Sequence, residues 1–128
     1  MNCLNCYKPV NRRNKFCSNK CQKEYEYKEY INRWKNNEET GLRGEYQISM
    51  YIKTYLYNKY HNKCARCGWG EMNPYTRNIP LEVEHIDGNY KNNHEENLIL
   101  LCPNCHSLTS TYKGANLNYG RKQRKKYS

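Results

Sequence analysis

The sequence predicts a small α+β fold that relies on cross-links between cysteines as well as on an apolar core. The chain has 128 residues, of which only 18 are Leu, Ile, Val or Phe. That share is in the range of disordered chains, yet the same sequence contains 14 Tyr and 8 Cys. Apolar spacings typical of helices and of strands also follow one another along it. A thin core that is stapled through its cysteines accounts for these observations.

The eight cysteines occur as four closely spaced pairs. In a reducing compartment such pairs are metal ligands more often than disulfides, and no βαβ pattern surrounds them to favour a redox-active dithiol. Eight thiolates complete two tetrahedral zinc sites without a histidine, and four thiolates on one ion leave no open position for chemistry. We therefore expect two structural zinc ions. The first set of ligands is Cys3, Cys6, Cys17 and Cys21, and the second is Cys64, Cys67, Cys102 and Cys105.

The first 37 residues predict a zinc knuckle that leads into a helix. Residues 22–35 are charged and carry Tyr27, Ile31 and Trp34 at helical spacing. The segment NNEETGLRG that follows breaks this periodicity and contains two glycines. We therefore place an N-terminal zinc module and helix at 1–37 and a linker at 38–44.

The segment from Glu45 to Lys63 predicts an amphipathic helix. Six apolar or aromatic residues recur in it at spacings of three and four, which places them on one helical face. We expect this face to pack in the core. Its members are Ile48, Tyr51, Ile52, Tyr55, Leu56 and Tyr60.

Between the last two cysteine pairs, the pattern changes to that of two strands. Residues 79–86 alternate in polarity, so Leu81, Val83 and His85 share one predicted face, and Glu82 and Glu84 share the other. A polar loop follows at 87–97, and the apolar run 98–101 predicts a second strand. The coarse order is therefore strand, loop, strand.

A helix is predicted after the second strand, over residues 103–112. Pro103 suits its first turn, and Gly114 would end it. Consecutive helical residues point about 100° apart. If Cys105 faces a zinc ion, His106 must therefore face elsewhere and can bind a different ion.

Charge is unevenly distributed along the chain, whose formal net charge is +10. Residues 64–106 contain more acidic than basic side chains, whereas both ends are basic. This layout is expected if the middle holds a divalent cation and the ends contact the phosphates of a nucleic acid. The candidate phosphate-binding residues are Arg12, Arg13 and Lys15 near the N-terminus, and Arg121, Lys122, Arg124, Lys125 and Lys126 in the tail.

The run from Leu81 to Asn89, followed by Asn92-Asn93, by Asn97 and by Cys102-Pro103-Asn104-Cys105-His106, resembles the zinc-containing branch of the HNH endonucleases, of the phage and homing type. The resemblance extends over roughly 45–117, which we assign as the nuclease domain, with a basic tail at 118–128. It implies a ββα-metal fold, in which a two-stranded ribbon and a helix hold one catalytic metal ion. The N-terminal knuckle is similar to small zinc modules that are appended to such nucleases.

The resemblance also implies roles for four residues. His85 takes the place of the general base, and Asn97 that of the residue that holds the loop and orients this base. His106 takes the place of a metal ligand. Glu84 stands where the family commonly has Asp or His as a second ligand, and its side chain is one methylene longer than that of Asp.

The chemistry of these side chains agrees with the implied roles. An imidazole with a pKa of about 6.5 accepts a proton near neutral pH. One carboxylate and one imidazole leave coordination positions for waters and a phosphate, which suits Mg²⁺ or Mn²⁺. We expect a metal-dependent DNA endonuclease that uses His85 as general base. The alternative is a non-catalytic, zinc-containing DNA-binding protein.

The remaining expectations concern the surroundings of the protein. The N-terminal segment has no apolar run, and no stretch approaches the ~20 apolar residues of a membrane span. We expect a soluble protein in the cytoplasm of a bacterial or phage-infected cell, with DNA as its partner and without a membrane or a small-molecule substrate. The string from Cys102 to His106 also matches C-x-x-C-H haem attachment, which would require export and leave Cys64 and Cys67 without partners.

Overall fold

The computed structural model describes residues 1–109, and the chain divides into two compact units, Met1–Glu39 and Thr40–Ser128. The predicted α+β class is confirmed. The helices are α1 (Asn19–Lys35), α2 (Met50–Lys59) and α3 (Pro103–Ser107), and the strands are β1 (Leu42–Arg43), β2 (Gln47–Ile48), β3 (Glu82–His85) and β4 (Leu98–Leu101). A 3-10 turn at Glu95–Asn97 precedes β4. No helix within residues 1–109 is long and apolar enough to cross a membrane.

Helix α1 of the first unit begins three residues before the predicted start. The side chain of Ser18 accepts a hydrogen bond from the backbone N–H of Cys21 at 3.2 Å, and this N-cap fixes the first turn. Ile31 and Trp34 are buried, as the helical spacing predicts. Asn37 has a φ of 62°, the left-handed conformation that commonly ends a helix.

Helix α2 of the second unit is shorter than the helix predicted from Glu45. Ser49 caps it by accepting a hydrogen bond from the N–H of Tyr51 at 3.2 Å, so the helix begins at Met50. Ile48, which was assigned to the helical face, lies in β2 and pairs with Leu42 of β1. The reason is the turn between these strands, where Gly44 has a φ of 71° that favours glycine.

The core of the second unit forms where α2 packs on β4. Ile52 and Leu56 have no exposed surface, and they belong to the predicted helical face. Leu98, Leu100 and Leu101 of β4 are buried as well. A helix, two strands and a short second helix therefore carry the candidate site residues.

Strands β3 and β4 form an antiparallel ribbon in which Glu82 lies opposite Leu101 and His85 lies opposite Leu98. The second strand is confirmed at its predicted bounds. The first is shorter than predicted, because the backbone before it bonds to a side chain instead of to a strand. The hydroxyl of Tyr57 donates to the carbonyl of Ile79 at 2.8 Å.

Helix α3 ends at Ser107 and not at residue 112. The backbone N–H groups of Leu108 and Thr109 bond to carbonyls three residues before them, at 3.1 and 3.2 Å, which tightens the chain out of the α-helical pattern. Gly114, which was predicted to end this helix, lies outside the described residues, as does the tail at 118–128.

Candidate active site and metal sites

The second set of cysteines converges at one point of the Thr40–Ser128 unit. The four sulfur atoms of Cys64, Cys67, Cys102 and Cys105 all lie within 4.8 Å of one another. Gly68, with a φ of 81°, allows the tight turn of the first pair, in which its N–H bonds to the carbonyl of Cys64 at 2.9 Å. The second pair sits at the start of α3, where the sulfur of Cys102 caps the N–H of Cys105. This group could hold one zinc ion.

The pKa values of these thiols show why a cation suits the group. Burial opposes ionisation of Cys64, but the backbone N–H groups of Cys102 and Cys67 outweigh it and lower its pKa to about 6. Burial and the neighbouring thiols of Cys102 and Cys67 raise the pKa of Cys105 to about 12. The thiol of Cys64 therefore ionises readily, whereas that of Cys105 resists ionisation. A bound divalent cation would favour the thiolate form of all four side chains.

The first set of cysteines forms a similar group in the Met1–Glu39 unit. The sulfur atoms of Cys3, Cys6, Cys17 and Cys21 lie within 4.8 Å of one another. Tyr7 adopts a φ of 67° just after the first pair, and its N–H bonds to the carbonyl of Cys3 at 3.0 Å. Both predicted ligand sets are therefore assembled as expected, one in each unit.

His106 of α3 lies between two carboxylates of β3. Its Nδ1 is 2.6 Å from Oε2 of Glu84, and its Nε2 is 3.1 Å from Oε2 of Glu82. Because successive strand residues alternate, Glu82 and Glu84 point to the same side of the ribbon, the side that α3 covers. Glu84 is only 7% exposed, so its carboxylate is held beside the imidazole rather than in bulk solvent.

The imidazole of His85 contacts the loop that follows β3. Its Nε2 lies 2.6 Å from Oδ1 of Asn93, a residue that is 4% exposed. The amide Nδ2 of Asn93 donates to the backbone carbonyl of Thr40 at 3.1 Å. His85 is therefore fixed by Asn93, and not by a direct side-chain bond to Asn97.

Asn97 holds the loop closed. Its Nδ2 donates to Oδ1 of Asp87 and to the carbonyl of Asn92, both at 2.9 Å, and its Oδ1 accepts from the N–H of Asp87 at 3.1 Å. Burial opposes ionisation of Asp87, yet hydrogen bonds from Asn92, Asn89 and Asn97 hold its pKa below the usual value. Asn97 thus joins the two ends of the segment that carries Asn93.

Sequence reasoning missed Glu82 and Asn93. The alternation of β3 did place Glu82 beside Glu84, so the shared face was a usable signal for it. The run that carries the family resemblance includes Asn93, but its role did not follow from the sequence, because that role depends on hydrogen bonds to His85 and to the distant Thr40.

The predicted phosphate-binding residues are only partly within the described region. Arg12, Arg13 and Lys15 are exposed in the first unit, and Arg13 and Lys15 line an open cleft at the start of α1. The five basic residues of the tail lie outside the described residues.

Comparisons with known proteins agree with this geometry. Residues 64–111 match the family model for the HNH endonuclease. The chain is also 40% identical, over 92 residues, to the H-N-H endonuclease F-TflIV of Escherichia phage T5. That alignment includes 70% of this chain and 40% of the phage protein, so the chain matches less than half the length of this curated relative. No solved structure gives a significant match.

Proposed function

Because residues 64–111 of this chain belong to the HNH endonuclease family, we propose that the protein is a metal-dependent endonuclease that hydrolyses phosphodiester bonds in DNA. The observation that supports it most directly is the pair formed by Glu84 and His106. A carboxylate oxygen and an imidazole nitrogen lie 2.6 Å apart beside β3, and the next residue of that strand is a second histidine, held by the loop. Strand β3 and helix α3 thus supply one imidazole for the proposed general base and an oxygen–nitrogen pair for the proposed cation.

His85 is the proposed general base. A neutral imidazole removes the proton from the attacking water, and a histidine has this capacity near neutral pH. Its contact with a buried asparagine keeps the ring in one orientation. Asn97 supports the same arrangement by closing the loop from Asp87 to Asn97.

Glu84 and His106 are the proposed ligands of a catalytic Mg²⁺ or Mn²⁺. One oxygen and one nitrogen donor are too few to enclose an octahedral ion, so the donor set fits a cation that keeps positions for water and phosphate. Such a cation supplies positive charge for the phosphate and the leaving 3′ oxygen. Glu82, at 3.1 Å from the other ring nitrogen of His106, orients that ring.

The two four-cysteine groups are proposed to bind zinc and to act only in folding. Four thiolates complete a tetrahedral ion and leave no position for a substrate. Nucleic-acid phosphates would be contacted by the basic residues Arg12, Arg13 and Lys15 of the first unit and by those of the tail.

The direct test is incubation of supercoiled plasmid with the purified zinc-loaded protein and added Mg²⁺ or Mn²⁺. Conversion to open-circular or linear DNA, dependent on the added metal, would support the proposal. DNA binding without cleavage in either metal would contradict it and favour the non-catalytic DNA-binding alternative.

Replacing His106 with alanine should weaken the response to Mn²⁺ without releasing zinc. The ring contributes one of two proposed ligands for the catalytic cation and none for zinc, although Cys105 directly precedes it. We expect the Mn²⁺ concentration for half-maximal cleavage to rise about tenfold or more, and elemental analysis to return an unchanged zinc content. Zinc loss in this variant would show that His106 is a ligand of the structural ion.

Removal of the tail after Gly120 should weaken DNA binding and its dependence on salt. Each lost phosphate contact changes the slope of log K against log salt by about 0.9 on B-DNA, so the change is up to about four units if nearly all five lost charges contact phosphates. Cleavage at low salt should persist, because no proposed catalytic residue is removed. An unchanged affinity and slope in a binding titration would assign the contacts to other basic residues.

A further inference from the structure

We propose that Asn93 is a positioning residue that fixes the tautomer and the orientation of the His85 imidazole. This inference rests on the proposed function of His85, and it concerns a residue to which the family resemblance assigns no role. The side-chain amide of Asn93 is buried and makes one hydrogen bond on each side.

The orientation of the Asn93 amide follows from its partner at Thr40. A backbone carbonyl can only accept a hydrogen bond, so the group that faces it, at 3.1 Å, must be the Nδ2 donor. The amide oxygen therefore faces the other way, toward Nε2 of His85 at 2.6 Å. An amide oxygen only accepts, so Nε2 must carry the proton of the neutral ring.

The consequence for His85 lies at the other ring nitrogen. In a neutral imidazole that is protonated on Nε2, Nδ1 carries the lone pair. Nδ1 is then the atom that can accept a proton from water. The carbonyl of Thr40 thus determines, through one amide, which nitrogen of His85 is basic.

The packing around Asn93 prevents the amide from turning away. Asn93 is 4% exposed. A Cβ placed on Gly41 would lie 2.7 Å from Cβ of Asn93 and 2.9 Å from Cδ1 of Ile52, so only glycine allows this approach. Gly41 is itself held, because its carbonyl accepts from the N–H of Ser49 at 2.8 Å. Gly41, at the start of the hairpin before α2, therefore packs directly against the Asn93 side chain.

Two substitutions separate a positioning role from a packing role. Asn93→Ala removes both hydrogen bonds. Asn93→Asp keeps an acceptor for His85 but places a carboxylate oxygen against the Thr40 carbonyl, which is unfavourable for stability. If Asn93 only packs, Asn93→Asp should lower activity more than Asn93→Ala does. If Asn93 positions His85, Asn93→Asp should restore much of the activity and of the Nε2 protonation that Asn93→Ala loses.

The first measurement is spectroscopic. Nitrogen-15 spectra of the zinc-loaded protein are recorded without added Mg²⁺, at a pH well above the ordinary histidine value of about 6.5, with His85 assigned by comparison with His85→Gln. We expect a slowly exchanging, downfield proton on Nε2 of His85 in the wild type and in Asn93→Asp, and its loss in Asn93→Ala. A wild-type ring protonated on Nδ1, or without a protected Nε2 proton, would overturn the proposal.

The second measurement is plasmid cleavage under saturating metal. Asn93→Ala should lower kcat about 100-fold with little change in KM, since a misplaced catalytic group slows the chemical step and leaves substrate binding intact. Asn93→Asp should recover at least a tenth of the wild-type kcat. Equal kcat values for wild type and Asn93→Ala, with the Nε2 proton retained, would contradict the inference.

Asn89→Asp provides the matched control. Its Oδ1 accepts from the N–H of Lys91 at 3.0 Å, a bond that an aspartate preserves, and it adds the same negative charge to the same loop. It should leave kcat and the Nε2 proton unchanged. If the wild type fails to cleave DNA but shows the protected proton, the proposed function fails and the positioning role stands.

Discussion

Replacing His85 with alanine should reduce metal-dependent plasmid cleavage by about 10²- to 10⁴-fold, the usual contribution of a general base. The ring is half-buried, and the only side-chain hydrogen bond described for it joins it to Asn93. Its loss therefore removes proton transfer without opening the core. Zinc content and DNA affinity should stay at wild-type values, as measured by elemental analysis and by a binding titration.

His94→Ala is the appropriate control for this variant. His94 is exposed in the same loop, and its side chain makes no capping hydrogen bond to the 3-10 turn that follows it. Cleavage should be unchanged by this replacement. Wild-type cleavage by the His85 variant, or an equal loss in both variants, would remove His85 from the mechanism.

Replacing Cys105 with serine should unfold the second unit and lower the zinc content from two ions per chain to one. Cys105 is 5% exposed and belongs to the four-cysteine group that joins the start of α3 to the turn after α2. Structural zinc sites contribute about 10–16 kcal/mol of apparent binding free energy at pH 7, whereas typical domains are stable by only about 5–15 kcal/mol. Loss of one ion therefore exceeds what this thin core can offset.

The matched variant is Cys6→Ser in the other unit. It should also lower the zinc content by one ion, but leave the amide exchange protection of β4 intact, because the two groups lie in separate compact units. Fewer than two zinc ions in the wild type would contradict the assignment of both sites. Retention of two ions by the Cys105 variant would contradict the assignment of that ligand.

The parts of the structure that follow from the sequence are those set by short-range patterns. Cysteine spacing predicted both four-cysteine groups, because a pair separated by two or three residues can place two thiols on one ion. The apolar run at 98–101 specified β4, and the spacing of Ile52 and Leu56 specified the buried face of α2.

The parts that did not follow depend on contacts between distant residues. Residues 45–48 have a helical apolar pattern, but the cap at Ser49 and the turn at Gly44 place them in a hairpin. Tyr57 delays the start of β3, because its hydroxyl bonds to the backbone of Ile79 before that strand. The hydrogen bonds of Asn93 to Thr40 and His85 form only when the fold brings these residues to either side of it.

Helix α3 constrains how this protein can change length during evolution. Its N-cap Cys102 and its residue Cys105 lie on the side of the thiol group, and His106 lies on the side of Glu84. One residue inserted between Cys105 and His106 would rotate the imidazole about 100° around the helix axis. Related chains should therefore tolerate substitutions in this turn at positions other than Cys105 and His106, but not insertions or deletions. Length variation should instead fall between Cys67 and β3, where the segment closes on itself through Asn73 and Asn78, 2.8 Å apart between N–H and carbonyl.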